Sequence, residues 1–195
     1  MKKTETIKLQ KGIILMIIFS SLFMCSIKAF AMEKTLIFPI PQQIQITGDS
    51  FVLDETMSII VPQGMSKNDI FLARFLVREL SDKYGIAVKI ELRTDIPKDK
   101  KIVVMGKFDN PLIQGYCKEN KLDVTEKNPG AEGYILLVNS GKIIIAGSDD
   151  AGTFYGLQSL RQLVDAGNGK KIQGVKVKDW PSFPFRAIRF ICTRS

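Results

Sequence analysis

An α+β domain is predicted, with a mostly antiparallel or mixed sheet of about seven strands and two main helices packed on one face. Three observations carry this expectation. Tyr134–Val138 and Lys142–Ala146 are short runs rich in Ile, Leu and Val, and Asn139-Ser140-Gly141 between them has hairpin-turn chemistry. Behind the hairpin, Leu157, Leu160, Leu163 and Val164 recur at three and four residues, the apolar stripe of a helix laid on a sheet. Leu72, Phe75, Leu76, Leu80 and Tyr84 repeat that pattern in a second helix earlier in the chain.

In chain order, Pro39 and Pro41 force an extended entry, and Ile44 and Ile46 alternate with polar neighbours as in a half-buried strand. Gly48-Asp49 reads as a turn into Phe51–Leu53, and Met57–Val61 as a further strand ending at Pro62, joined by short connections of the antiparallel kind. Ser66 with Asp69 three residues on is an N-cap signal, and Gly85 stops the helix that follows. Val88–Leu92 and Ile102–Met105 read as strands around the turn-rich Thr94–Lys100, Pro111–Asn120 as a short helix, and Thr125–Gly130 as a loop. After the hairpin, Gly147-Ser148 leads into a helix whose first turn holds Asp149 and Asp150. Gly152 and Gly156, one turn apart, leave a bare strip where another backbone can come close. Gly167-Asn168-Gly169 ends that helix, Ile172, Val175 and Val177 mark a last strand, and Asp179–Arg186 is a proline- and aromatic-rich crossing.

Residues 1–31 read as a secretory leader. Lys2, Lys3, Lys8 and Lys11 precede the apolar run Gly12–Ile27, and Ala29-Phe30-Ala31 has the small-residue spacing of a cleavage site. The run falls short of the roughly 20 residues that span a bilayer. Cys25 makes a poor lipoprotein site because the bulky Met24 precedes it. Export to the periplasm or the exterior, with no stable membrane span after cleavage, is therefore expected. Without the leader's five lysines and one glutamate, 23 basic and 19 acidic residues remain, so a net charge of +8 falls to +4. Those charges are interspersed, which gives no support to nucleic-acid binding. Cys117 and Cys192 are the cysteines outside the leader, and two do not make a disulfide framework. Histidine is absent, which removes Ser-His-Asp and Cys-His catalysis and His-based metal sites. No cofactor or metal is implied.

Carboxylate chemistry stays open. Asp149-Asp150 and Asp54-Glu55 are the adjacent acidic pairs, and paired carboxylates are the raw material of glycoside hydrolysis. Gly147–Gly152 sits where a phosphate loop would, but two carboxylates already occupy the positive helix end, so capping is the better reading. Trp180, Phe183 and Phe185 could stack on a sugar or seal a joint between domains, and the prolines beside them favour a joint. Arg186, Arg189 and Arg194 form a basic end segment.

Two stretches together carry a resemblance. Glu132-Gly133-Tyr134 with the hairpin and Gly152-Thr153-Phe154-Tyr155-Gly156-Leu157-Gln158-Ser159-Leu160-Arg161-Gln162-Leu163 resembles the N-terminal domain of secreted β-N-acetylhexosaminidases of glycoside hydrolase family 20. Asp179-Trp180-Pro181 through Phe183-Pro184-Phe185-Arg186 is similar to the joint into their catalytic barrel; related domains precede family 84 N-acetylglucosaminidases. The resemblance implies a non-catalytic domain, 32–180, packed against a (β/α)8 barrel, with 181–195 as linker and the truncated start of that barrel. On the barrel a Glu acts as general acid, an Asp orients the substrate's acetamido group, and the substrate is an N-acetylhexosamine-containing glycan. No position here takes that Asp-Glu pair, so the expectation is an isolated accessory domain without turnover. Arg186 matches the family arginine that hydrogen-bonds the terminal sugar, while Ala187 and Ile191 depart from the usual Gly and Asp. A free-standing glycan-binding or protein-interaction module is the alternative.

Overall fold

The computed structural model describes residues 37–64, 66–167 and 169–183. Seven strands form one mixed sheet: β1 (Gln43–Val52), β2 (Ser58–Pro62), β3 (Lys89–Arg93), β4 (Ile102–Lys107), β5 (Tyr134–Val138), β6 (Lys142–Gly147) and β7 (Lys171–Asp179). Three helices accompany them, α1 (Lys67–Tyr84), α2 (Pro111–Glu119) and α3 (Asp150–Ala166). The spatial order is β1-β7-β5-β6-β4-β2-β3. The β1–β7, β7–β5 and β5–β6 pairs are antiparallel, whereas β6–β4, β4–β2 and β2–β3 are parallel.

The expected α+β architecture holds, with both main helices on one face. α1 and α3 bury Leu72, Leu76, Leu157 and Leu160 against inward residues of the sheet such as Val103, Leu136 and Ile145. The short α2 covers part of the opposite face through Ile113, Tyr116 and Cys117, against Ile60, Val104, Ile135 and Ile144. β2, β4 and β6 are thus buried on both sides, which is why they read as unbroken apolar runs rather than alternating ones. Burial raises the free Cys117 thiol to about 11, so it behaves as an inert core residue; Cys192 lies outside the described residues.

Two expectations need correction. Gly48-Asp49 does not end a strand. β1 runs through it with a register shift between Ile46 and Ser50. The bulge fits because Gly174 opposite has no side chain: a Cβ there would stand 2.4 Å from Thr47 Oγ1 and 2.7 Å from Asp49 O. Nor do β1 and β2 form an antiparallel connection. They occupy the first and sixth places in the sheet, and the link between them crosses its end with Leu53 and Met57 buried. β2, α1 and β3 instead make a β-α-β unit, whose crossover helix permits parallel pairing.

Local signals fix the helices. Ser66 and Asp69 form a reciprocal capping box, and Gly85 closes α1 in the left-handed conformation at φ 69. α1 and α3 are joined by Arg161, which chelates Glu79 (Nη2 to Oε1 2.7 Å) and lies 5.0 Å above the Phe75 ring. Lys83 reaches the same carboxylate at 3.0 Å. Burial pushes the Glu79 carboxyl up, but hydrogen bonds from Arg161 and Lys83 outweigh it and hold its pKa below the ordinary 4.5. A depressed carboxylate contributes stability above its unfolded pKa and loses it as pH falls through the folded one. Urea unfolding at pH 7 should therefore show Glu79→Gln less stable by about 1–2 kcal/mol. The gap between variant and parent should narrow as pH falls below 4.5.

Candidate functional site

The site is built where the chain enters and leaves the domain. Segment 37–42 comes in beside the end of β7, and 180–183 departs from it. Gln162 on α3 holds the Phe38 backbone from both sides, accepting from its N–H at 2.7 Å and donating to its carbonyl at 2.9 Å. The Gln42 N–H donates to Asp179 Oδ1 at 3.0 Å, and the Gln42 side chain donates to Ser182 Oγ at 2.6 Å and the Trp180 carbonyl at 3.4 Å. Entry and exit are tied to each other and to the sheet.

Between them lies an open cleft of about 420 Å³, walled by Phe38, Tyr155, Trp180 and Phe183 and floored by Tyr134, Ser159 and Asp179. The buried Tyr134 hydroxyl is 2.6 Å from Ser159 Oγ and donates to Asp179 Oδ2 at 3.3 Å. Burial raises its pKa far above the ordinary 10, and the Asp179 charge adds to the effect, so the phenol stays protonated. The rim is apolar: Phe38, Ile40 and Phe183 are 80%, 67% and 69% exposed. Tyr155 continues this surface onto the outer side of α3 next to Phe154, their ring centroids 5.6 Å apart.

The acidic pairs are not brought together. Asp149 follows the C-terminal end of β6 and Asp54 precedes the N-terminal end of β2, so in a parallel arrangement they stand at opposite ends of the sheet. Asp149 caps α3. One carboxylate oxygen accepts from Gly152 N and the other from Glu132 N, both at 2.7 Å. That carboxylate fills the helix end, as the capping reading expects. Asp150 points to solvent and Glu55 is exposed, while Asp54 bonds Thr56 and Lys101. Among the described residues no group of three or more His, Cys, Asp and Glu is placed to hold a metal. No helix among them is long and apolar enough to cross a membrane.

Of the aromatic segment, Trp180 and Phe183 enter the cleft, while Phe185, Arg186, Arg189 and Arg194 lie outside the described residues. Sequence reasoning missed Tyr134, Ser159, Asp179, Gln42 and Gln162 as one network. Their only shared signal is a polar atom on otherwise apolar segments, and the partners stand up to 137 positions apart.

The arrangement defines an α+β domain whose two ends leave together through an aromatic-walled cleft. Residues 34–180 match glycosyl hydrolase family 20, domain 2, and the chain belongs to that family through this non-catalytic N-terminal domain of β-hexosaminidases. A β-hexosaminidase of Porphyromonas gingivalis (strain ATCC BAA-308 / W83) is 29% identical over an alignment of 158 residues that covers 77% of this chain and 18% of that protein. The chain thus spans under a fifth of that curated relative. The GH20 β-N-acetylhexosaminidase of Streptomyces coelicolor A3(2) shares the fold at TM-score 0.58 and 18% identity, over 78% of this chain and 28% of that one. CpGH84D shares it at TM-score 0.61 and 20% identity, over 74% and 23%.

If Asp149 is a cap, Asp149→Ala should cost about 1–2 kcal/mol in urea unfolding. Gly152→Ala should cost at least as much, about 1–3 kcal/mol or more, because its Cβ would fall 2.1 Å from the Gly133 carbonyl oxygen and backbone must move.

Proposed function

We propose that this chain is the bracing domain of an exported β-N-acetylhexosaminidase-like protein, with its cleft as the seat of a neighbouring catalytic barrel. The leader-like 1–31 supports export with cleavage after Ala31, 32–180 is the domain, and 181–195 is the joint. The observation that carries the reading is the exposed aromatic rim at the place where both ends of the domain are pinned. Large apolar side chains left facing water around a rigid joint are what a packed neighbour buries. The Asp-Glu pair and the N-acetylhexosamine glycan belong to that neighbour, and Arg186 would act on the sugar only in its company.

The cleft itself favours one second reading. Aromatic walls over hydroxyl, amide and carboxylate groups, in about 420 Å³, also suit a sugar ring, as in a free-standing glycan-binding module.

Two measurements on the purified chain separate these. It should not hydrolyse an aryl N-acetyl-β-glucosaminide, and calorimetric titration with N-acetylglucosamine should give no heat. Turnover overturns the bracing reading, and saturable sugar binding lost in Tyr155→Ala replaces it with the module. The triple variant Phe38→Ser, Ile40→Ser, Phe183→Ser should keep the far-ultraviolet spectrum while losing most binding of an apolar dye.

A further inference from the structure

The sheet face away from α1 and α3 is only partly covered. α2 and the turn after it pack over β4, β5 and β6, and no other described element covers β7 and β1 on that side. Lys176 and Lys178 project there because Val175 and Val177 alternate into the helix-side core; Gln43 and Gln45 do so because Ile44 and Ile46 pack toward that core. Cross-strand register sets Gln43 beside Lys178 and Gln45 beside Lys176, with Ile135 on the other flank of Lys178. Lys121 takes the left-handed conformation at φ 53, rare for a lysine, and with Leu122 it turns the chain out of α2 to wall this groove. The groove holds about 450 Å³.

Its charge is net positive, three lysines against one carboxylate. Lys121, Lys176 and Lys178 make no ion pair among the described residues. Asp123, the one carboxylate among the described residues of the lining, is bonded to the Asn128 amide. Two residues apart on one strand, Lys176 and Lys178 hold their Cα atoms roughly 7 Å from each other. We propose that this groove binds a strand of acidic polysaccharide, its carboxylates or sulfates held by the three lysines and its hydroxyls by the Gln43 and Gln45 amides. Among the described residues no arginine and no aromatic ring lines the groove, so they offer neither a fork for phosphate nor a platform for a base, and a nucleic acid is the poorer fit.

The test uses the full chain in calorimetric titration with heparin, hyaluronate, a neutral chitin oligosaccharide and single-stranded DNA. Heparin, hyaluronate or both should bind, with affinity falling about tenfold or more from low to physiological salt. Binding of one and not the other names the acid group. The variant Lys121→Ala, Lys176→Ala, Lys178→Ala should weaken binding about tenfold or more, and arginines at those positions should restore it. The Phe38, Ile40 and Phe183 serine variant should bind as the parent does, since the cleft opens beside α3 on the other side of the sheet. No binding to either acid, equal binding of DNA, or an unchanged alanine variant overturns the assignment.

Discussion

The structure depends on one small junction, where the Asp149 carboxylate joins the approach to β5 and the first turn of α3. It accepts from Glu132 N and Gly152 N, while the Gly133 carbonyl accepts from Ser148 N at 2.8 Å. These bonds hold the helix so close to the hairpin that no side chain fits between. A Cβ on Gly152 would meet the Gly133 oxygen at 2.1 Å, and one on Gly156 would meet Ile145 Cγ2 at 2.5 Å and the Tyr134 ring at 3.1 Å. Close approach is bought with two glycines in the first half of a helix, each a propensity loss of about 1 kcal/mol relative to alanine.

What the approach achieves is transmitted along α3. With Gly156 against the Tyr134 ring, Ser159 on the next turn comes within 2.6 Å of the phenol oxygen. The phenol reaches Asp179, and Asp179 holds the Gln42 amide of the incoming segment. A further turn along, Gln162 fixes Phe38. The junction at Asp149 thereby leads to both ends of the domain, and the incoming edge of the rim is held because the Phe38 and Gln42 backbones are hydrogen-bonded to side chains of α3 and β7. That fixity suits the proposed role of seating a neighbouring domain.

Much of this was legible in the sequence because it is local. The hairpin, the capping box at Ser66, the stop at Gly85, the Asp149 cap and the bare Gly152–Gly156 strip each lie within a few residues of their partners. Pairing was not. A short turn-rich link between β1 and β2 looks antiparallel, and nothing in residues 53–57 says that it crosses a seven-stranded sheet. The α2 face stayed hidden because strands buried on both sides lose their alternation. The cleft network and the lysine groove depend on register between strands that are remote in sequence, such as Gln43 beside Lys178. Proline and aromatic clustering at Asp179–Phe183 did mark the non-repetitive segment that leaves β7, although not the phenol beneath it.

Amide hydrogen exchange at Phe38 and Gln42, followed by NMR, tests the pinned joint most directly. Both amides sit outside any strand or helix, and among the described residues their bonds are to the side chains of Gln162 and Asp179. Slow exchange, with protection lost at Phe38 in Gln162→Ala and at Gln42 in Asp179→Ala, is the predicted result. Exchange at the rate of an unstructured peptide in the parent chain would contradict the account, because the entry and exit of the domain would then be untethered.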